Sequence, residues 1–265
     1  MIPNILSIAG SDPSGGAGIQ ADLKTISALG GYGMAAITAL TAQNTQGVTG
    51  VHIPPASFIA QQIDTIFSDI EVHAVKIGML ANGEIVEAVA DRLTAHGAKN
   101  IVLDPVLVAT SGDSLGAPDV VDAMIARLLP LAIIVTPNLP EAARLTGLAQ
   151  DTDMETLARA MTDKGCKAVL VKGGHSGGAT ADDYLFDGET MRTFSAARVD
   201  TTNTHGTGCT LSSAIATHLA KDHDLGDAVS AAKSYLTAAL ENSGKLNVGI
   251  PDRGHGPVHH FHAFR

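Results

Sequence analysis

Two short runs carry the residue types that could handle a phosphate. Residues 203–209 read NTHGTGC, and Leu211, Ala214, Ile215, His218 and Leu219 then fall on one helical face. That spacing predicts Gly206, Thr207 and Gly208 at a helix N-terminus, where backbone N–H groups lack partners and the helix dipole favours negative charge. The two glycines let a phosphoryl group approach, so the turn reads as an anion hole for charge developing on a transferring phosphate. Cys209 falls in the first helical turn, where a thiol is expected to have a lowered pKa and to serve as base or nucleophile. The plainer reading of Cys209 is a small buried residue filling a helix start. The second run, residues 10–18, reads GSDPSGGAG: four glycines in nine residues, leading into a helix that contains Asp22. It reads as a substrate loop, because glycine permits sharp turns and close approach to a ligand; an ordinary strand-to-helix connection is the alternative.

Further polar residues close predicted strands. Asp104 ends IVLD, Asn138 and Glu141 stand in TPNLPE, and Lys172 ends KAVLVK. Asp104 and Glu141 are candidates for holding Mg²⁺, an ion that favours oxygen ligands and waters. Lys172 is a candidate for neutralising phosphate charge, and Asn138, Lys172 and Thr207 for holding a nucleotide. Capping for Asn138, a solvated charge for Glu141 and a strand-end charge for Lys172 are the bland alternatives. Gln43 follows a predicted strand; its amide could read a heterocycle edge or satisfy a local turn. His255, His259, His260 and His262 crowd the C-terminus without Cys, Asp or Glu beside them, and a structural segment is preferred there to a metal site. In an extended segment His260 and His262 would share a face.

These residues must be positioned by a scaffold, and the sequence supplies one. Residues 5–9, 35–40, 72–78, 100–104, 132–136 and 167–172 read as strands. Residues 21–29, 57–70, 84–96, 117–129, 153–164, 209–220 and 226–241 read as helices. Residues 184–186 and 191–194 form a hairpin around Asp187-Gly188. Strands alternating with helices predict an α/β fold with a mostly parallel sheet covered on both faces. Ligands in such sheets bind beyond the carboxyl ends of the strands, where the polar residues above are placed. No linker or repeat interrupts the 265 residues, so one domain over 1–265 is expected.

Composition narrows the function. Hydrophobic residues make up 45% and charged residues 17%, enough for a packed core and against disorder. A net charge of −10 argues against a duplex nucleic acid or an anionic membrane as partner. Two cysteines in neither a CxxC pair nor a disulfide framework, with no signal sequence, lead to the expectation of a cytoplasmic, reduced protein. The GxxxxGK[ST] pattern is absent, against a P-loop enzyme. The match of residues 16–21 to a dinucleotide pattern is weak, because the strand ends well before Gly16 and no acidic residue follows about 20 positions later.

The motifs taken together resemble the ribokinase-like superfamily, and within it the bacterial hydroxymethylpyrimidine and phosphomethylpyrimidine kinases. The resemblance spans nearly the whole chain. It rests on AGSDPSGGAGIQADLKT (9–25), TALTAQNT (38–45), KIGML (76–80), LDPV (103–106), TPNLPEA (136–142), VKGGH (171–175), NTHGTGCT (203–210) and GPVHHFH (256–262). It implies a three-layer α/β/α fold, ATP and Mg²⁺ as cofactors, and a homodimer. The implied activity is phosphorylation of 4-amino-5-hydroxymethyl-2-methylpyrimidine, then of its monophosphate, in thiamine biosynthesis. It further implies that Gly10, Ala17, Asp22 and Gln43 contact the pyrimidine, with Met79 and Val106 lining the pocket. The GTGC turn would supply the anion hole, Cys209 the catalytic position, and Lys172 a contact to ATP phosphate. Sugar kinases of the superfamily often carry Asp where Cys209 stands, so a thiolate base and a substrate-positioning thiol both stay open. A pyridoxal or pyridoxine kinase, a regulator that lost catalysis and a dinucleotide oxidoreductase are the alternatives.

Overall fold

The structure, a computed structural model, describes residues 1–107, 119–174, 178–250 and 253–264. Six strands run parallel: β1 (Asn4–Ser11), β2 (Tyr32–Asn44), β4 (Ala74–Ile77), β5 (Ile101–Leu103), β6 (Ile134–Val135) and β7 (Val169–Lys172). β3 (Gly47–His52) adds antiparallel to β2 at one edge, and β8 (Thr180–Phe186) and β9 (Met191–Ala197) add antiparallel at the other. The order across the sheet is β3-β2-β1-β4-β5-β6-β7-β8-β9.

The helices are α1 (Gly18–Ala28), α2 (Ala56–Phe67), α3 (Gly83–Ala95), α4 (Asp119–Ala123), α5 (Leu139–Thr146), α6 (Met154–Asp163), α7 (Thr207–Leu219) and α8 (Leu225–Glu241). Successive strand side chains point to opposite faces, and the pairs Ile5/Leu6, Ala74/Val75 and Ile134/Val135 divide accordingly. Leu6, Val75 and Val135 pack with Ile59 and Ile63 of α2, Val89 of α3 and Leu157 of α6. Ile5, Ala74 and Ile134 pack with Ile26 of α1, Ile215 of α7 and Val229 of α8. The sheet is thus covered on both faces, as its nearly continuous apolar strands require. No helix among the described residues is long and apolar enough to cross a membrane.

Four local outcomes differ from the sequence reading. β2 continues through Asn44 and pairs with β3, so Gln43 is a strand residue and not part of a turn. The sequence GVTGVH of β3 is largely exposed and carries two glycines, which leaves almost no apolar pattern to read. α5 was not anticipated either. It is only 8 residues long, yet it starts on a capping box in which Asn138 and Glu141 satisfy each other's backbone N–H, and it ends on Gly147 in the left-handed region. The helix expected over 117–129 is α4 running into a π-helical stretch, Met124–Leu128; residues 117 and 118 lie outside the described residues.

Candidate active site

The carboxyl ends of the parallel strands open into a cleft of about 1000 Å³. Asp12, just past β1, organises the first glycine loop. Its carboxylate accepts hydrogen bonds from the amides of Ser14 (2.9 Å), Gly16 (3.1 Å) and Ala17 (2.8 Å). Oδ2 also lies 2.8 Å from Nε2 of His205. Burial alone would raise the Asp12 pKa, but His205, Ser14 and Ala17 more than offset it and hold the carboxyl below its ordinary value. One buried carboxylate therefore ties the loop after β1 to the turn before α7.

That turn is pressed against the loop. Gly206, the N-cap of α7, sits at φ 77°, and a Cβ placed on it would fall 1.8 Å from the carbonyl oxygen of Gly16. Only glycine fits both the left-handed backbone and the contact. No side chain caps α7, so the amides at its first turn lack intrahelical partners, that of Thr207 donating back to the Thr204 carbonyl at 3.4 Å, and Gly206, Thr207, Gly208 and Cys209 line the cleft. A Cβ on Gly208 would lie 3.2 Å from Lys172 Nζ and 3.5 Å from Asp104 Oδ2. The helix start is thus wedged between the first glycine loop on one side and a Lys–Asp pair on the other.

Lys172 Nζ donates to Asp104 Oδ1 at 2.9 Å, and Thr136 Oγ1 donates to the same oxygen at 3.2 Å. Burial would raise the Asp104 pKa; the ammonium groups of Lys172 and Lys76 hold it below the ordinary range. Glu141 behaves oppositely. Its burial outweighs the pull of Lys172, Asp104 adds repulsion, and the carboxyl is pushed up to about 7. Glu141 is therefore a buried group and not a solvated charge. Two carboxylates facing one lysine suit an ion that takes only one or two protein oxygens and completes its shell with water and phosphate, which is the habit of Mg²⁺.

Beneath Cys209 lies a second pair. Lys76 Nζ donates to both oxygens of Asp22 at 2.9 Å, and Ser7 and Ser213 donate to them at 2.6 and 2.8 Å. Lys76 and Asp22 are fully buried, and Asp22 keeps the lysine above its ordinary pKa despite that burial. The Cys209 thiol is pushed up to about 11, mainly by burial; Lys76 pulls it down, while Asp22 and Asp104 push it up alongside burial. The lowered thiol pKa expected from its place in the helix is corrected here: the thiol is neutral at pH 7. Gln43 completes the site from β2, with Nε2 3.5 Å from His205 Nε2.

A family model described as phosphomethylpyrimidine kinase matches residues 12–259. The chain belongs to the phosphomethylpyrimidine kinase family. The hydroxymethylpyrimidine/phosphomethylpyrimidine kinase of Rhizobium meliloti is 56% identical over 260 residues, 97% of this chain and 96% of that relative. Among solved structures, phosphomethylpyrimidine kinase from Clostridium difficile is 43% identical with a TM-score of 0.80, covering 90% of this chain and 99% of that one. Pyridoxal kinase from Staphylococcus aureus, in complex with AMP-PCP and pyridoxal, is 34% identical with a TM-score of 0.88, covering 100% of this chain and 96% of that one. The fold is the ribokinase-like one.

Within this phosphomethylpyrimidine kinase family member, nearly all of the residues singled out from sequence line the one cleft. Gly10 reaches it from β1, Ala17 from the N-cap of α1, Gln43 from β2, Met79 from just past β4, and Asp104 and Val106 from just past β5. Asn138 and Glu141 reach it from the start of α5, Lys172 from the end of β7, and Gly206, Thr207, Gly208 and Cys209 from the start of α7. Asp22 is the exception. It does not line the cleft, because both its oxygens are consumed below the floor by Lys76, Ser7 and Ser213. Its expected contact to a pyrimidine is replaced by a supporting role. Asn138 uses Oδ1 to cap α5, so the capping alternative holds for that atom. His175 of the VKGGH motif lies outside the described residues. Asp12, His205 and Lys76 were missed, although all three stand inside the quoted motifs; a charged residue in an otherwise apolar or glycine-rich run was the available signal.

Proposed function

We propose that the chain transfers the γ-phosphoryl group of ATP to the hydroxymethyl of 4-amino-5-hydroxymethyl-2-methylpyrimidine, and then a second phosphoryl group to the monophosphate, in thiamine biosynthesis. The observation that carries the reading is the contact between Gly206 and Gly16, which joins an amide-rich phosphate turn to a substrate loop in one cleft. Gln43 would hold the heterocycle edge, with Gly10, Ala17, Met79 and Val106 shaping its pocket. The amides of Gly206, Thr207 and Gly208 would stabilise charge on the transferring group. Lys172, with Asn138 and Thr207, would bind the nucleotide's phosphates. Asp104 and Glu141 would hold Mg²⁺, which when bound neutralises phosphate charge.

Cys209 would lie beside the attacking oxygen as a neutral thiol. Phosphoryl transfer passes through a loose transition state in which positioning counts for more than prior deprotonation, so a thiol that orients the hydroxyl suffices. The chain is further proposed to act as a homodimer. Pyridoxal or pyridoxine phosphorylation is the second reading, favoured by the likeness to the pyridoxal kinase above. Steady-state ADP release with the hydroxymethylpyrimidine, its monophosphate and pyridoxine tests the assignment. The expected outcome is turnover of the first two, and kcat/KM for pyridoxine above both would reverse the assignment. A Cys209→Ala protein with unchanged turnover would remove Cys209 from the site.

A further inference from the structure

The histidine-rich tail has no part in that reading, yet it folds back across both glycine turns. His205 donates its amide to the Gly256 carbonyl at 3.0 Å and pairs with Pro257 in an isolated parallel bridge. A Cβ on Gly16 would lie 3.2 Å from Pro257 Cβ. Val258 is fully buried, the His259 amide donates to Ala239 at 3.0 Å, and Tyr235 Oη donates to the His260 carbonyl at 2.8 Å. These contacts seat the His260 ring, itself buried, against the first turns of α7.

There His260 Nε2 lies 3.1 Å from Thr210 Oγ1, and the same hydroxyl lies 2.8 Å from the Gly206 carbonyl. A carbonyl has no proton to give, so the hydroxyl's one proton goes to Gly206 and the imidazole must be the donor to Thr210. The Gly206 carbonyl also accepts from the Thr210 amide at 2.9 Å. The peptide that sets the direction of the turn's amides is therefore held from two sides, one of them reaching back to His260.

We propose that His260, as its Nε2–H tautomer, is a positioning residue for phosphoryl transfer, fixing the anion turn through Thr210 and the Gly206 carbonyl. The catalytic consequence rests on the kinase reading above; the positioning itself does not.

Two measurements on His260→Leu, His260→Gln and Thr210→Val test this. The first is hydrogen exchange of the backbone amide of residue 210, which donates to the Gly206 carbonyl, in the ligand-free protein. Exchange is expected to be at least about tenfold faster in His260→Leu and Thr210→Val, and near wild type in His260→Gln, whose amide N–H can reach the same hydroxyl. The second is ADP release per folded molecule. A kcat about tenfold lower or more, with KM for the pyrimidine within about twofold and rescue by Gln, is expected for a misplaced turn. Exchange unchanged in Thr210→Val overturns the proposal, and that variant, which deletes a single hydroxyl, carries the test if His260→Leu does not fold. Activity lost only in proportion to folded protein, without rescue by Gln, also overturns it. If wild type releases no ADP with any heteroaromatic alcohol, the kinase reading fails while exchange still decides the positioning.

Discussion

Gly206→Ala should be the most informative single substitution, because its effect divides into two parts of known size. The added Cβ would sit 1.8 Å from the Gly16 carbonyl oxygen, whereas Cβ atoms keep at least 3.0 Å, so the two turns must separate by about 1.2 Å. The contact is with backbone, which cannot rotate away. A displacement on the order of 1 Å between reacting groups costs about a hundredfold in rate. The other part is the left-handed backbone at φ 77°, which costs a non-glycine residue roughly 1–2 kcal/mol in stability. Gly97→Ala isolates that second part, since Gly97 has φ 59° and nothing within 4 Å of its missing Cβ. The expected result is a fall in Tm for both variants, larger in Gly206→Ala because the clash adds to the strain, with kcat for ADP release reduced about a hundredfold in Gly206→Ala alone. A Gly206→Ala enzyme within about threefold of wild type would refute the claim that contact between the turns aligns phosphate and substrate.

Lys76→Met should lower the urea midpoint strongly, because it leaves the Asp22 carboxylate fully buried without a counter-charge, a loss of about 3–5 kcal/mol. The Lys76→Met, Asp22→Asn double variant should recover part of it, and strictly additive losses would contradict a buried pair. Acid should weaken the fold through His260, whose pKa burial lowers to about 4 from an ordinary 6.5, with Lys24, His259 and His262 adding repulsion. Between those values the unfolded chain binds the proton and the native chain does not, so stability is full above about pH 6.5, falls with pH, and is down by about 3 kcal/mol near pH 4. His260→Gln should flatten that decline in urea midpoint between pH 7 and 4; an unchanged slope would place the titration elsewhere.

The strands and helices that bury whole faces were legible because their periodicity records the packing. Residues 84–96 and 226–241 deviate from α3 and α8 by one position at each end at most. The exposed edge strand β3 left no such record, since an edge facing solvent imposes no apolar alternation. That Gly206, Gly208, Lys172 and Asp104 line one cleft was legible because strand ends and helix starts meet at one edge of an α/β sheet. Asp22 was misplaced for a reason that residue type cannot reveal. A carboxylate near a glycine loop can face the cleft or the layer beneath it, and only the fully buried Lys76, some fifty residues away in sequence, decides which. The tail was read as structural on composition; which histidine turns inward depended on a turn at residues 260–263 that replaces the extended segment assumed for it.

The Cys209 environment shows how such pairs decide chemistry. A thiol at a helix N-terminus with two lysines nearby would ordinarily ionise easily. Here each ammonium is already matched, Lys76 by Asp22 and Lys172 by Asp104, so the lysines leave no net positive charge for the sulfur. The two carboxylates and burial then prevail over Lys76 and the Gly18 amide, and the thiol stays protonated. A phosphate entering the turn adds further negative charge and pushes in the same direction. In the proposed reaction, any role of Cys209 would therefore rest on where the sulfur holds the hydroxyl and not on a standing thiolate.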